Sequence, residues 1–394
     1  MCATYFQYQV NLCNFLSAAL CRLGEHQLPP QKEFVIGGGF RDGGNAVTVT
    51  RGQCREVQAL WSSHEEADTR MILHAKYAAR TDRRLVIQSP HTDVLILSVS
   101  QFRSLGCPEL WFRLKDREQM IPVHHIAHAL GEELYWSLLG FHAIKGCNST
   151  SVLAGIGKKK TWDSFCRSTN HQNSVSDLGE EQELNVTTAS ICEAFVCSPY
   201  TTSKKASTVD ELHNFMFCQK KQKNEKLPSM SDCLIQHLKQ SNYQAFIWRH
   251  ALEAMQDLES PEGHGWVRDE KHLLPLLMKK APAPESLLDL KTCKCKMSSS
   301  LRNCSCNNTG LSCTEGCYCM ANDEECKNLH GVTCICDSEE SNKEWKASRT
   351  VELFDVWHIC SIEQIYKGRN IAISNLLYSI SFHWQKVYYK QQIL

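Results

Sequence analysis

SHEEADTRMILHA (63–75) is the stretch from which the fold of this chain is read. Three carboxylates, Glu65, Glu66 and Asp68, open a segment in which Ala67, Met71, Ala75 and Ala78 recur at helical spacing. The spacing predicts an amphipathic helix with its acids gathered at the N-terminal end, Glu65 and Asp68 sharing the face away from the core. Fold stability alone accounts for such acids. Ser63 followed by Glu66 is a capping box, and negative charge in a first turn complements the helix dipole. What gives them a second meaning is the company they keep.

Downstream, RLVIQS (84–89) leads as a strand into SPHTDVLIL (89–97), and ELWFRL (109–114) is a further strand. Strands alternating with helices indicate a mainly parallel sheet, and in open sheets of that kind ligands bind beyond the carboxyl ends of the strands, where Asp93 falls. VHHIAHALGEELYWSLLGFHAIKG (123–146) has the pattern of one long helix. His124 and His128 stand at i, i+4 in it, a spacing that can hold zinc, but His125 sits where a metalloprotease needs its glutamate, and surface histidines are the better reading. KGCNSTS (145–151) and AGIGKKKTWDSF (154–165) follow. In the latter, Gly155 and Gly157 free backbone amides to face a phosphate, and Lys158, Lys159 and Lys160 add charge to the same spot. The plain alternative is a tight turn followed by a solvated lysine run.

On the flanks, the first thirty residues, with Phe6, Val10, Phe15, Leu20 and Leu23, read as a helix ending near Gly24. EFVIGGGF (33–40) and NAVTVT (45–50) are strands separated by turns, and the glycines lack the lysine of a phosphate-binding loop. Residues 167–188 are polar and read as a linker or loop. NYQAFIWRHALEAM (242–255) is helical, with Ala245, Trp248, Leu252 and Met255 as a core stripe. SPEGHGW (260–266) turns the chain, and KKAPAPES (279–286) is a short stiff spacer.

The chain has 394 residues, 42% of them apolar and 22% charged, enough for two or three domains with real cores. Lysine and arginine total 43 and so do aspartate and glutamate, so nucleic acid has to be met by local patches and not by overall charge. The chain lacks a basic, apolar leader pattern and any continuous apolar run of about 18 residues, which points away from secretion and from a membrane span. An intracellular, reducing setting is the expectation, and with it the sequons at Asn148, Asn185 and Asn307 carry no glycan.

Of 22 cysteines, 10 fall between Cys293 and Cys336. Cys293, Cys295, Cys304, Cys306, Cys313, Cys317, Cys319 and Cys326 make a dense pattern in a segment almost without large apolar residues. Four thiolates satisfy tetrahedral zinc, and a segment of this kind folds when metal supplies the free energy. Structural zinc is therefore expected, with a disulfide framework as the weaker reading.

The order of these motifs resembles the PIN-like nucleases of the flap endonuclease group. The resemblance implies an α/β fold with a mainly parallel sheet of PIN-like nuclease type over residues 31–166, behind an N-terminal helix (1–30). It implies a metal site of Mg or Mn in which Glu66 and Asp68 form the first acid pair and Asp93 is the second acid of the strand pair, with Glu65 as a possible fourth. It also implies a DNA-gripping hairpin at Gly155–Lys158. Two positions depart from the pattern: His91 stands where the first strand acid belongs, and Asn148 where the acid of the turn belongs. The cysteine spacing is similar to tesmin-type CXC modules, which hold three zinc ions with nine cysteines. Here the cysteine expected in KMSSSLRN (296–303) is absent and Asn303 replaces the usual tyrosine, so two or three ions are expected. More narrowly, the chain resembles invertebrate mobile-element-derived proteins joining both parts. The implied organisation continues with a polar linker and helical region (167–290), the cysteine module (291–336) and an unassigned tail (337–394). The resulting expectation is a nuclear, DNA-binding protein with an impaired nuclease-like site and no small-molecule cofactor. The alternative is an active Mg- or Mn-dependent flap-type endonuclease or exonuclease.

Overall fold

The computed structural model describes residues 2–40, 43–114, 119–200, 206–219, 226–270 and 272–280, Cys293, residues 304–309, 312, 313, 317 and 328, and the pair 372 and 373. The chain is α/β, helix-rich with small sheets, and divides into one unit of residues 1–277 with 353–394 and another of residues 278–352.

Helix α1 (Cys2–Gln27) runs past Gly24, and the antiparallel strands β1 (Phe34–Gly37), β2 (Ala46–Thr50) and β3 (Gln53–Glu56) follow it. Ile36, Val47 and Val49 bury against Leu16 and Leu20 of α1. Arg70, 2% exposed, donates to the carbonyls of Gly43, Gly44 and Asn45 at 2.6, 2.8 and 2.8 Å, tying the β1–β2 turn to the acidic helix. Charge-assisted bonds of this kind are among the stronger ones in a fold.

The acidic helix is α2 (Ala67–Ala78), and it is not amphipathic in the expected way. Every residue from 67 to 75 is buried, Asp68 among them, while Glu65 lies ahead of the helix and is exposed. The two acids expected on one outer face are thus parted. The hairpin packed over α2 has taken its polar side out of water.

Strand β4 (Arg84–Ser89) pairs in parallel with β5 (Glu109–Leu114), Val86 opposite Trp111. An antiparallel edge, β6 (Met120–Pro122), lies beside β5, and Ala372–Ile373 runs parallel beside β4. Between β4 and β5 the segment expected to continue the strand is helical: α3 (Thr92–Leu105), buried over most of its surface, closed by Gly106 at φ 78°. Pro90 ends the strand, and Asp93 in the first turn suits the helix dipole.

The long helix expected over 123–146 is two, α4 (Val123–Ala129) and α5 (Glu132–Lys145), because Gly131 takes an extended backbone and begins α5. His124 is buried with Nδ1 2.8 Å from the Leu110 carbonyl, contrary to the surface reading, whereas His128 is exposed. Among the described residues, the α-helices that follow are α6 (Lys158–Cys166), α7 (Thr169–Ser176), α8 (Val186–Cys197), α9 (Val209–Gln219) and α10 (Ser231–Arg249).

The polar stretch 167–188 is no linker. Ser168 caps α7 by accepting from the His171 amide, and Val175 and Leu178 are fully buried. Gly140 of α5 makes room for them, since a Cβ there would meet the Val175 carbonyl oxygen at 2.2 Å. Leu85, Phe112, Ile144, Phe165, Phe195 and Trp248 consequently share one core that crosses the expected boundary at 166. In α10, Ala245 and Trp248 are buried as the core stripe requires, but the helix ends at Arg249 and leaves Met255 69% exposed. A hairpin of β7 (Trp266–Asp269) and β8 (His272–Pro275) closes this unit. Among the described residues, no helix is long and apolar enough to cross a membrane.

Candidate functional site

The capping box of the acidic helix does not form. Glu66 occupies the cap position of α2 with no side-chain cap bond, and Ser63 Oγ instead accepts from the Gln256 amide at 2.8 Å. The Glu66 carboxylate turns to α10, where Oε1 accepts from Gln244 Nε2 at 2.9 Å and Oε2 from Trp248 Nε1 at 3.2 Å. Burial pushes this carboxyl up to about 6; the two donors oppose that, and the charges of Asp93 and Glu65 add to it. Fold stability at a helix end therefore no longer accounts for Glu66.

Asp93 reaches the same place from the first turn of α3, just beyond the carboxyl end of β4. Its Oδ1 lies 3.1 Å from His142 Nε2 of α5, and both side chains are nearly buried, at 13% and 12% exposed. Burial alone would raise the Asp93 carboxyl, but the bond and charge of His142, with His91 and Lys158 nearby, hold it below its ordinary value. His142 also lies against Trp248, ring centroids 5.5 Å apart. Glu66, Trp248, His142 and Asp93 thus form one connected set drawn from α2, α10, α5 and α3.

The loop 145–151 supports this set through residues other than Asn148. Ser149 Oγ donates to Gln244 Oε1, so Gln244 bridges Ser149 and Glu66. Thr150 Oγ1 donates to the Ala143 carbonyl at 2.8 Å, and Ser151 Oγ is 2.7 Å from His237 Nδ1. Asn148 itself is exposed. The structure therefore brings Asp93 and Glu65 within electrostatic reach of Glu66, and His91 and Lys158 within reach of Asp93. Asp68 is buried on α2.

His142, Gln244, Trp248 and Ser149 are the residues that sequence reasoning missed as site residues. A signal existed for two of them: His237, Ser241, Gln244 and Trp248 recur at spacings of four, three and four on α10, a stripe of hydrogen-bonding side chains on a helix with a buried face.

At 154–160 the chain makes a turn with Gly155 at φ 70°, close against the Lys226 carbonyl, and Gly157 begins α6. Lys158, Lys159 and Lys160 are exposed in its first turn. Behind them Lys145 is 2% exposed and donates from Nζ to the Ile156 carbonyl at 3.2 Å. Burial and the charge of Lys158 bring its ammonium down to about 8. Gly157 and its successors are solvent-facing, a surface that an anion can approach.

In the unit of residues 278–352, Cys293, Cys306, Cys313 and Cys317 are buried, with all four sulfurs within 4.8 Å of one another. Cys293 and Cys313 are 3.9 Å apart, and Cys306 and Cys317 3.7 Å. A tetrahedral zinc with Zn–S of about 2.3 Å places its sulfurs roughly 3.8 Å apart. The group can therefore take a metal ion such as zinc. Cys304 lies 3.5 Å from Cys313, and amides reach three of the sulfurs: the Cys293 amide that of Cys317, the Asn307 amide that of Cys304, and Asn328 Nδ2 that of Cys313, each at 3.4 Å. As a thiol, Cys306 is pushed up to about 12 by burial and then by Cys317, so a cation is what would take its proton off. Cys295, Cys319 and Cys326, also expected as ligands, and nearly all of the tail 337–394, lie outside the described residues.

No family model matches the chain, and neither a curated protein nor a solved structure does.

Proposed function

We propose that the chain is a nucleic-acid-binding protein, acting on DNA in the nucleus, derived from a metal-dependent structure-specific nuclease of the PIN-like, flap endonuclease group and impaired in catalysis. In this reading the β4–β5 pair is the remnant of a mainly parallel nuclease sheet, residues 155–160 grip the phosphate backbone, and the cysteine group is a tesmin-type module with two or three zinc ions. The observation that carries it is the charge balance around Asp93. Two divalent ions about 4 Å apart need several anionic ligands to offset their mutual repulsion. Here Asp93 is already bonded to His142 and feels Lys158, while Glu66 is held by two neutral donors. Among the described residues, the groups of three or more converging metal ligands do not include either acid. Such a site is poorly supplied to hold a metal pair, and contact with phosphate falls to the exposed Lys158, Lys159 and Lys160.

A gel assay with flap and single-stranded DNA tests this. The wild type should bind DNA and show little or no cleavage in Mg²⁺ or Mn²⁺. His91→Asp with Asn148→Asp should raise Mn²⁺ affinity, most of it through His91, the residue whose charge reaches Asp93. Robust wild-type cleavage in Mg²⁺ that vanishes in Asp93→Ala would make the protein an active nuclease. Absence of DNA binding at low salt would remove the nucleic-acid assignment.

A further inference from the structure

Glu183, Glu259 and His264 are far apart in sequence, yet one ligand atom from each lies within 4.8 Å of the other two. None of them belongs to the Glu66–Asp93 set or to the cysteine group. His264 is 4% exposed, its ring stacked on Tyr243 with centroids 4.9 Å apart and planes at 29°. From that fixed position its Nε2 sits 3.2 Å from Glu259 Oε2.

The backbone around the three is built independently of their carboxylates. Tyr243 Oη donates to the Glu259 carbonyl at 2.7 Å, and the Glu259 amide donates to Gln182 Oε1 at 2.7 Å, beside Glu183. Asn242 Nδ2 donates to the carbonyls of Glu181 and Gln182 at 2.9 and 2.8 Å. The Gln182 side chain in turn donates to the Asp257 carbonyl at 3.1 Å. Two loops are thereby tied to α10 and to each other, and each presents one exposed carboxylate toward the same buried imidazole.

An ion pair between His264 and Glu259 needs only one carboxylate. A second one brought within 4.8 Å of the imidazole and of the first adds repulsion between the carboxylates, which a divalent cation between them offsets. We propose that Glu183, Glu259 and His264 hold one divalent ion of the zinc class. Zinc takes imidazole nitrogen and carboxylate oxygen at about 2.0–2.2 Å, which puts tetrahedral ligand atoms roughly 3.4 Å apart. The His264–Glu259 separation of 3.2 Å already meets this, and Glu183, exposed, closes the rest by side-chain rotation. Three protein ligands leave the fourth position to water. Glu183 also lines a groove of about 360 Å³ with Leu184, Leu234 and Leu238, so the open side of the ion adjoins an accessible surface.

Cobalt distinguishes this site from the cysteines, because thiolate–Co²⁺ complexes absorb strongly in the near ultraviolet and N/O complexes do not. Full-length protein, stripped of metal and titrated with Co²⁺, should take up one more equivalent than Glu183→Gln while the near-ultraviolet bands of the two match. Glu183 is exposed, so this variant keeps the fold; His264→Ala should abolish the same equivalent. Asp93→Asn should leave it in place. Equal uptake by wild type and Glu183→Gln overturns the site, and so does loss of the extra equivalent in Asp93→Asn, which would put the ion at the nuclease-like acids.

Discussion

At Glu66, a carboxyl whose ordinary value is 4.5 is pushed up to about 6 inside the folded chain. The folded state then holds this proton more tightly than the unfolded state does between those two values. Its contribution to stability is complete below pH 4.5, falls as pH rises through 6, and leaves a cost of about 2 kcal/mol above it. Glu66→Gln carries no such charge. In urea unfolding at pH 4.5 and 7.5, the stability of the variant relative to wild type should therefore move by about 2 kcal/mol in its favour at the higher pH; a constant difference would mean that the carboxylate is not desolvated. Sequence motifs singled out Glu66 and Asp93, and the fold brings their charges within reach of each other. Their partners were not legible in the sequence, because α5 is apolar around most of its circumference and periodicity cannot say that His142 will be the position facing the start of α3.

The elements show where close approach replaced composition as the deciding factor. α7 is polar by count, but Gly140 lets it lie against α5 with the Val175 carbonyl where a side chain would otherwise stand. Gly140→Ala should cost about 1–3 kcal/mol, as overpacking of a tight interface does, and urea denaturation would read it. The start of α6 is different in kind, since its three lysines face solvent. Replacing Lys158, Lys159 and Lys160 by Ala should weaken DNA binding evenly across sequences and reduce the log–log salt slope by about 0.9 for each phosphate that the protein no longer neutralises. Filter binding at several salt concentrations checks this, and equal slopes would reduce the lysines to a solvated run.

For the molecule as a whole, the two units draw on different sources of stability. The unit of residues 1–277 rests on a continuous apolar core, while the described part of the cysteine-rich unit buries five cysteines and little else. If the cysteine group holds zinc as proposed, a chelator should remove it from full-length protein yet leave the helical signal in circular dichroism nearly intact, with elemental analysis as the companion measurement. Loss of most helical signal would show that the first unit depends on metal. The α/β class, the positions of β2, β4 and β5, and the clustering of metal-grade cysteines were determined by the sequence alone, because period, turn residues and ligand spacing are local properties of the chain. The tertiary structure decided the rest. It buried the polar face of α2 under a hairpin, made a helix of 92–105, drew 167–188 into the core, and turned the Glu66 side chain from the expected capping-box acid into a partner of Gln244 and Trp248, 178 and 182 residues away. Burial, desolvation and hydrogen-bond competition depend on which distant surfaces meet, and no local pattern specifies that.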